Sequence, residues 1–127
     1  MTDKEEKNEL VKILKPDFIF GDNRGRLTQL VHDGFKQVNV ITSIGGVKRG
    51  GHYHRINAEA FFVVSGEFDL VARHKGKKEK YHFKEGDMFL IPKMVSHDFF
   101  YTDKTVLVSL YDRGVELSET EKDIYID

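Results

Sequence analysis

His52 and His54 stand two residues apart in a stretch that reads as a β-strand, so their imidazoles point to the same face. Glu59 follows at the start of the next apolar run, and His97 comes much later, after Pro92, at the start of another. Three imidazoles and one carboxylate make a mixed nitrogen and oxygen set. Such a set suits zinc, iron, manganese, nickel or copper, and the residue types alone do not choose among them. Imidazole is also a competent proton acceptor at neutral pH, with a pKa near ~6.5. A histidine bound to a metal through its lone pair is not a free base, so His52 stands as either ligand or base.

The elements around these residues read as strands and turns. Val38, Val40, Thr42 and Ile44 alternate with Gln37, Asn39, Ile41 and Ser43, the period-two pattern of a strand with two distinct faces. Runs rich in Val, Ile, Phe and Tyr follow at 60–64, 68–72, 81–83, 88–91, 98–101 and 105–111, after a shorter one at 27–31. Ser65-Gly66-Glu67 reads as a hairpin turn between two of them. The basic run at 74–80, HKGKKEK, reads as an exposed hairpin tip whose lysines keep an edge from pairing, not as a phosphate site. His32, His74 and His82 read as surface histidines. Residues 1–15 read as a charged, flexible terminus that turns into a first strand or a short turn of helix, and residues 116–127 as an acidic surface tail. About nine short strands with no long helix predict an all-β barrel or sandwich.

A length of 127 residues fits one domain, so 1–127 is expected to fold as a unit. With 20 basic and 21 acidic side chains, no overall field favours nucleic acid or an anionic membrane. The chain has no Cys, which removes disulfides and thiolate metal sites and is compatible with a reducing cytoplasm. Its first ten residues lack the apolar run of a signal peptide, and no stretch approaches the ~20 apolar residues of a membrane helix. A cytoplasmic address is the expectation.

A glycine and proline framework surrounds the candidate ligands. Gly46 stands six before His52 and Gly66 seven after Glu59; Gly86 stands six before Pro92, which stands five before His97. The sequence therefore resembles the cupin superfamily, with its two motifs G-x5-HxH-x4-E-x6-G and G-x5-P-x4-H. That resemblance implies a double-stranded β-helix, or jelly-roll, barrel with His52, His54, Glu59 and His97 around one divalent metal ion. Met94 and Tyr101 depart from the usual second motif, standing where Gly and Asn are common.

Three further stretches carry a narrower resemblance: GDNRGRLTQL at 21–30, FKQVNVITS at 35–43 and RGGHYHR at 49–55. They are similar to the opening of nucleotide-sugar cupins, namely the dTDP-4-dehydrorhamnose 3,5-epimerases and the dTDP-sugar 3,4-ketoisomerases. The VVSGE at 63–67 resembles the C-terminal cupin domain of capsular-polysaccharide reductases. The epimerase pattern implies Arg24 and Arg49 at substrate phosphate or sugar, Gln37 and Asn39 as polar lining, His52 as catalytic base, and Tyr111 near the acid tyrosine. His54 stands where the epimerases usually have Gln, and Glu59 is generally lacking in the ketoisomerases; the capsular cupin fits HxH-x4-E best. The resemblance also implies a homodimer that pairs, or swaps, N-terminal strands.

The expected function is isomerisation or epimerisation of a keto-sugar nucleotide in polysaccharide biosynthesis. Carbon next to a ketone loses a proton when a base sits close and the enolate is stabilised by a cation or Arg. Two other classes remain open: a non-catalytic metal- or sugar-binding module, and an iron-dependent dioxygenase.

Overall fold

The computed structural model describes residues 10–126, and among them there are twelve strands and no helix. In chain order these are β1 Lys12–Leu14, β2 Phe18–Asp22, β3 Gly25–Gln29, β4 Gln37–Ser43, β5 Lys48–Tyr53 and β6 Glu59–Ser65. They continue with β7 Glu67–His74, β8 Lys77–Lys84, β9 Met88–Ile91, β10 Ser96–Tyr101, β11 Thr105–Tyr111 and β12 Tyr125–Ile126. Two five-stranded antiparallel sheets form the barrel, one ordered β1-β9-β6-β11-β4 and the other β12-β5-β10-β7-β8; β2 and β3 pair as a separate hairpin. This is the jelly-roll cupin barrel that the motifs imply.

Aromatic side chains fill one part of the interior. Phe61 and Phe89 come from the first sheet and Phe68, Phe83 and Phe99 from the second. Phe83 and Phe89 stack with ring centroids 4.0 Å apart, and Phe61 packs 5.1 Å from both Phe89 and Phe99. Rings of this size contribute the largest area per residue to a small core. On β10 the inward positions are His97, Phe99 and Tyr101, so the apolar core passes directly into polar groups along one strand.

Three expectations are corrected. Ser65-Gly66-Glu67 is not a hairpin turn, because β6 pairs with β9 and β11 while β7 pairs with β10 and β8. Gly66 is a corner where the chain leaves one sheet for the other. It has φ of 94°, and a Cβ there would lie 2.3 Å from the Lys104 carbonyl oxygen, so only glycine fits. The tail is not wholly a surface segment: Asp123 is fully buried, and Tyr125–Ile126 pairs with β5. The N-terminal expectation divides. Residues 1–9 lie outside the described residues, whereas Leu10 and Val11 are buried in the core and β1 pairs with β9. Leu10 and Val11 thus pack in this chain's own interior, while Ile13 on β1 stays exposed.

The 74–80 run behaves as expected. Lys75 and Gly76, with φ of 50° and 79°, form the two-residue turn between β7 and β8, and β8 is a sheet edge studded with Lys77, Lys78, Lys80 and Lys84. The face of β4 that carries Val38 and Val40 points outward, leaving them 60% and 69% exposed. Ile13, Phe18, Ile19, Phe20 and Leu27 are also exposed.

Candidate functional site

The two glycines of RGGH set the geometry of β5. Its register against β10 places His52 opposite His97 but Gly50 opposite Asp98 and Arg49 opposite Phe99. Gly51 is therefore an extra residue, a β-bulge. Gly50 and Gly51 have φ of 116° and 80°, and a Cβ on Gly50 would lie 2.4 Å from the His97 carbonyl oxygen. Strict alternation would put Arg49 and His52, three residues apart, on opposite faces. The bulge brings both to the inner face, beside Phe99 and His97.

That inner face borders a cavity of about 400 Å³ lined by Ile41, Arg49, Gly50, His52, Glu59, Phe61, His97, Phe99, Tyr101 and Tyr111. His52, His54 and His97 each offer a ring nitrogen, and these three atoms lie within 4.8 Å of one another. Ring centroids are 4.7 Å apart for His52 and His97, 5.2 Å for His52 and His54, and 5.6 Å for His54 and His97.

Glu59 stands beside this triad rather than in it. Its Oε1 lies 3.0 Å from His54 Nε2 and 4.0 Å from His97 Nε2, and its Oε2 accepts from the Ser109 hydroxyl at 2.6 Å. His54 is held at both nitrogens, because Nδ1 donates to the Asp123 carbonyl at 2.6 Å. Burial pulls the His54 pKa down, but the Glu59 hydrogen bond, the Asp123 carbonyl and their charges outweigh it, and the net shift is upward. His97 goes the other way: burial drives its pKa down to about 4, only partly opposed by Glu59, so its ring is neutral at pH 7. Tyr111 packs edge-on to His54 at 5.2 Å; burial, then Glu59, push its phenol well above the usual value. It keeps its proton.

Asp123 reaches this site from the tail. Its carboxylate accepts from the backbone N–H of Arg55, Ile56 and Asn57 and from the Asn57 amide, at 2.9–3.0 Å. The loop between His54 and Glu59 is thereby folded around one anion. At the other end of the cavity Arg49 Nε donates to Ser43 Oγ at 2.8 Å, and Ser43 is hydrogen-bonded to Tyr101. Burial raises the Tyr101 phenol as well.

The sequence-predicted residues divide accordingly. Arg49, His52, Glu59, His97 and Tyr111 line the cavity, and His54 lies directly behind it. Arg24 does not join them: it is exposed at the turn between β2 and β3, with its guanidinium forked onto Asp22. Gln37 and Asn39 are half-buried on the inward face of β4 but are not among the cavity-lining residues. Gln37 instead accepts from the Val115 N–H at 2.8 Å. Sequence reasoning missed Ser43, Ser109, Tyr101 and Asp123. Two of these carried a signal: Tyr101 in the two-residue spacing His97, Phe99, Tyr101, and Ser43 in the alternation Gln37, Asn39, Ile41, Ser43.

The donor set fits a divalent cation. Three ring nitrogens converge, one of them on a buried ring that stays neutral at pH 7, and a carboxylate is adjacent.

Comparison with known proteins agrees with this fold. The chain matches 3-hydroxyanthranilate 3,4-dioxygenase of Burkholderia cenocepacia at 39% identity over 59 residues, covering 46% of this chain and 33% of that protein. It thus spans about a third of the length of the curated relative. The 3,4-ketoisomerase of Thermoanaerobacterium thermosaccharolyticum, solved with TDP-4-keto-6-deoxyglucose, has the same fold: TM-score 0.76 at 19% identity, over 94% of this chain and 88% of that one. The dTDP-4-dehydrorhamnose 3,5-epimerase of Sulfolobus tokodaii superposes with TM-score 0.71 at 25% identity, over 82% and 70% of the two chains. The family model for the polysaccharide biosynthesis C-terminal domain matches residues 20–123. With the cupin barrel and its histidine triad in place, the chain belongs to the polysaccharide biosynthesis C-terminal domain family.

Proposed function

We propose that this chain isomerises or epimerises a keto-sugar nucleotide. The observation that carries the reading is the cavity itself, which places a half-buried imidazole, a protonated phenol and a guanidinium around one space of about 400 Å³. That volume is within the ~300–1,000 Å³ of small-molecule sites. His52 takes the proton from carbon beside the ketone, and Tyr111, whose phenol stays protonated, returns one. Arg49, held against β4 by Ser43 and by the Thr42 carbonyl, binds phosphate or sugar oxygen. Ile41, Phe61 and Phe99 offer an apolar wall to a deoxygenated sugar face. The solved relatives that carry TDP or a TDP-sugar support a nucleotide sugar as the ligand.

His52, His54 and His97 would hold a divalent ion such as zinc, iron, manganese or nickel, with Glu59 as a fourth ligand once released from His54. Such an ion supplies Lewis-acid stabilisation of an enolate oxygen. In that state His52 would be a ligand and not a free base, so another group would have to take the proton from carbon, while the protonated Tyr111 could still return one.

A homodimer belongs to the same reading. Val38 and Val40 on the edge strand β4, with Phe18, Phe20 and Leu27 on the β2–β3 hairpin, offer apolar surface for an interface in the ~1,200–2,000 Å² class. Arg24 lies away from its own cavity and reaches a nucleotide only from the partner in such a dimer. No helix among the described residues is long and apolar enough to cross a membrane. A cytoplasmic address completes the proposal.

The test is proton NMR of a dTDP- or UDP-4-keto-6-deoxy sugar in heavy water, with zinc, iron, manganese or nickel supplied in turn. Wild-type protein is expected to exchange the proton beside the ketone, and His52→Ala to lose exchange while still binding nucleotide. Neither exchange nor binding by the wild type defeats the enzyme reading and leaves a binding module. Oxygen uptake with retained iron would instead support the dioxygenase reading, the weaker of the two, which rests on 39% identity over 59 residues.

A further inference from the structure

Asp98 is a buried carboxylate that the site does not use. It is 4% exposed and lies on β10 between the inward-facing His97 and Phe99, so its side chain is on the opposite face of the sheet. Oδ2 accepts from Arg73 Nη1 on β7 at 2.6 Å. Oδ1 lies 3.7 Å from Lys48 Nζ on β5 and, although buried, has no hydrogen-bond partner. One carboxylate thus links β10 to both of its neighbours. The bulge lies at the same place. Gly51 is the residue that the ladder between β5 and β10 omits, and a Cβ built on it would find Asp98 Oδ1 as its nearest contact, at 3.5 Å.

We infer that Asp98 is a positioning residue: its carboxylate pins the Gly50–Gly51 bulge, and the bulge keeps Arg49 and His52 together on the cavity face. Oδ1 accepts no hydrogen bond from the bulge, so the carboxylate holds it by lying directly over Gly51 and by its charge on Lys48, two residues before Gly50 on the same strand. Without the anchor, two adjacent glycines that both accept positive φ allow the bulge to move or close. Losing the extra residue shifts the pairing by one, and a one-residue shift exchanges the faces of a strand. Arg49 and His52 then part company. This coupling concerns the cavity wall and holds whichever ligand the cavity takes.

The experiment uses the full chain, isotope-labelled, with chelator present. The side-chain nitrogen signals of the histidines and the Arg Nε–H signals are recorded for wild type, Asp98→Ala and Asp69→Asn. Asp69 is a carboxylate of the same sheet, paired with His82 and separated from the bulge strand by β10. In Asp98→Ala the His52 and Arg49 signals are expected to shift or double while His82 stays in place. In Asp69→Asn only His82 moves. A folded Asp98→Ala with His52 and Arg49 unchanged overturns the inference and leaves Asp98 a contributor to stability alone. Should Asp98→Ala not fold, Asp98→Ser is read by the same criterion, since it keeps a hydroxyl near Arg73 and still vacates the Oδ1 position.

Discussion

Replacing Asp123 by Ala should destabilise the protein by about 4 kcal/mol. The carboxylate accepts four hydrogen bonds, from the backbone N–H of Arg55, Ile56 and Asn57 and from Asn57 Nδ2, and the residue is fully buried. Hydrogen bonds to a charged group contribute roughly 1.5–3 kcal/mol each, and an orphaned buried donor costs about 1–3 kcal/mol. Four bonds to one anion are not additive, and water entering the vacated space recovers part of the loss, so about 4 kcal/mol is the working figure. For a chain of 127 residues that corresponds to a fall in Tm of roughly 12–20 °C. The effect carries a pH signature. Burial by itself raises the Asp123 carboxyl, but the donors on Asn57, Arg55 and Ile56 outweigh it and hold its pKa below the ordinary value. A depressed carboxyl contributes stability that is present above the unfolded pKa of ~3.9 and is lost as pH falls through the folded value. Guanidinium unfolding of wild type and Asp123→Ala, with chelator present, should therefore show a gap that is constant from pH 5 to 7 and narrows below about pH 4. A gap under about 1 kcal/mol at neutral pH refutes the view that this anion organises the loop between His54 and Glu59.

Three other outcomes are expected. Gly66→Ala should fail to give folded protein or should lose several kcal/mol by circular dichroism melts, since its Cβ would stand 2.3 Å from backbone at φ of 94°; a variant as stable as wild type refutes the corner. His97 is neutral when folded, with a pKa of about 4, and binds a proton near ~6.5 when unfolded. In metal-free protein its share of stability is intact above pH 6.5 and falls by up to about 3 kcal/mol on the way down to about pH 4. His97→Gln should flatten that slope, and an equal slope in both proteins counts against a neutral His97. Val40→Glu on the exposed face of β4 should give a monomer by light scattering at concentrations where the wild type is a dimer; a monomeric wild type sinks the interface.

The grouping of the candidate site residues was legible in the sequence because period two survives folding wherever a strand stays regular. His52 and His54 share a face, His97, Phe99 and Tyr101 share another, and the glycine and proline spacings around them report turns that a cupin barrel requires. Local steric preference is a property of the chain itself, and so is the charge balance. Other features depend on which strands meet. Gly66 looks like any turn glycine until β6 and β7 are found in different sheets, and the sharing of one face by Arg49 and His52 requires a bulge that exists only in the pairing of β5 with β10. Asp123, 69 residues from His54, enters the site only because the tail folds back across β5. Glu59 was legible as a candidate ligand, but its engagement with His54 and Ser109 was not, since Ser109 is 50 residues away. Long-range hydrogen bonds to buried charges are satisfied by whatever donor the fold delivers, and no local pattern in the chain records that delivery.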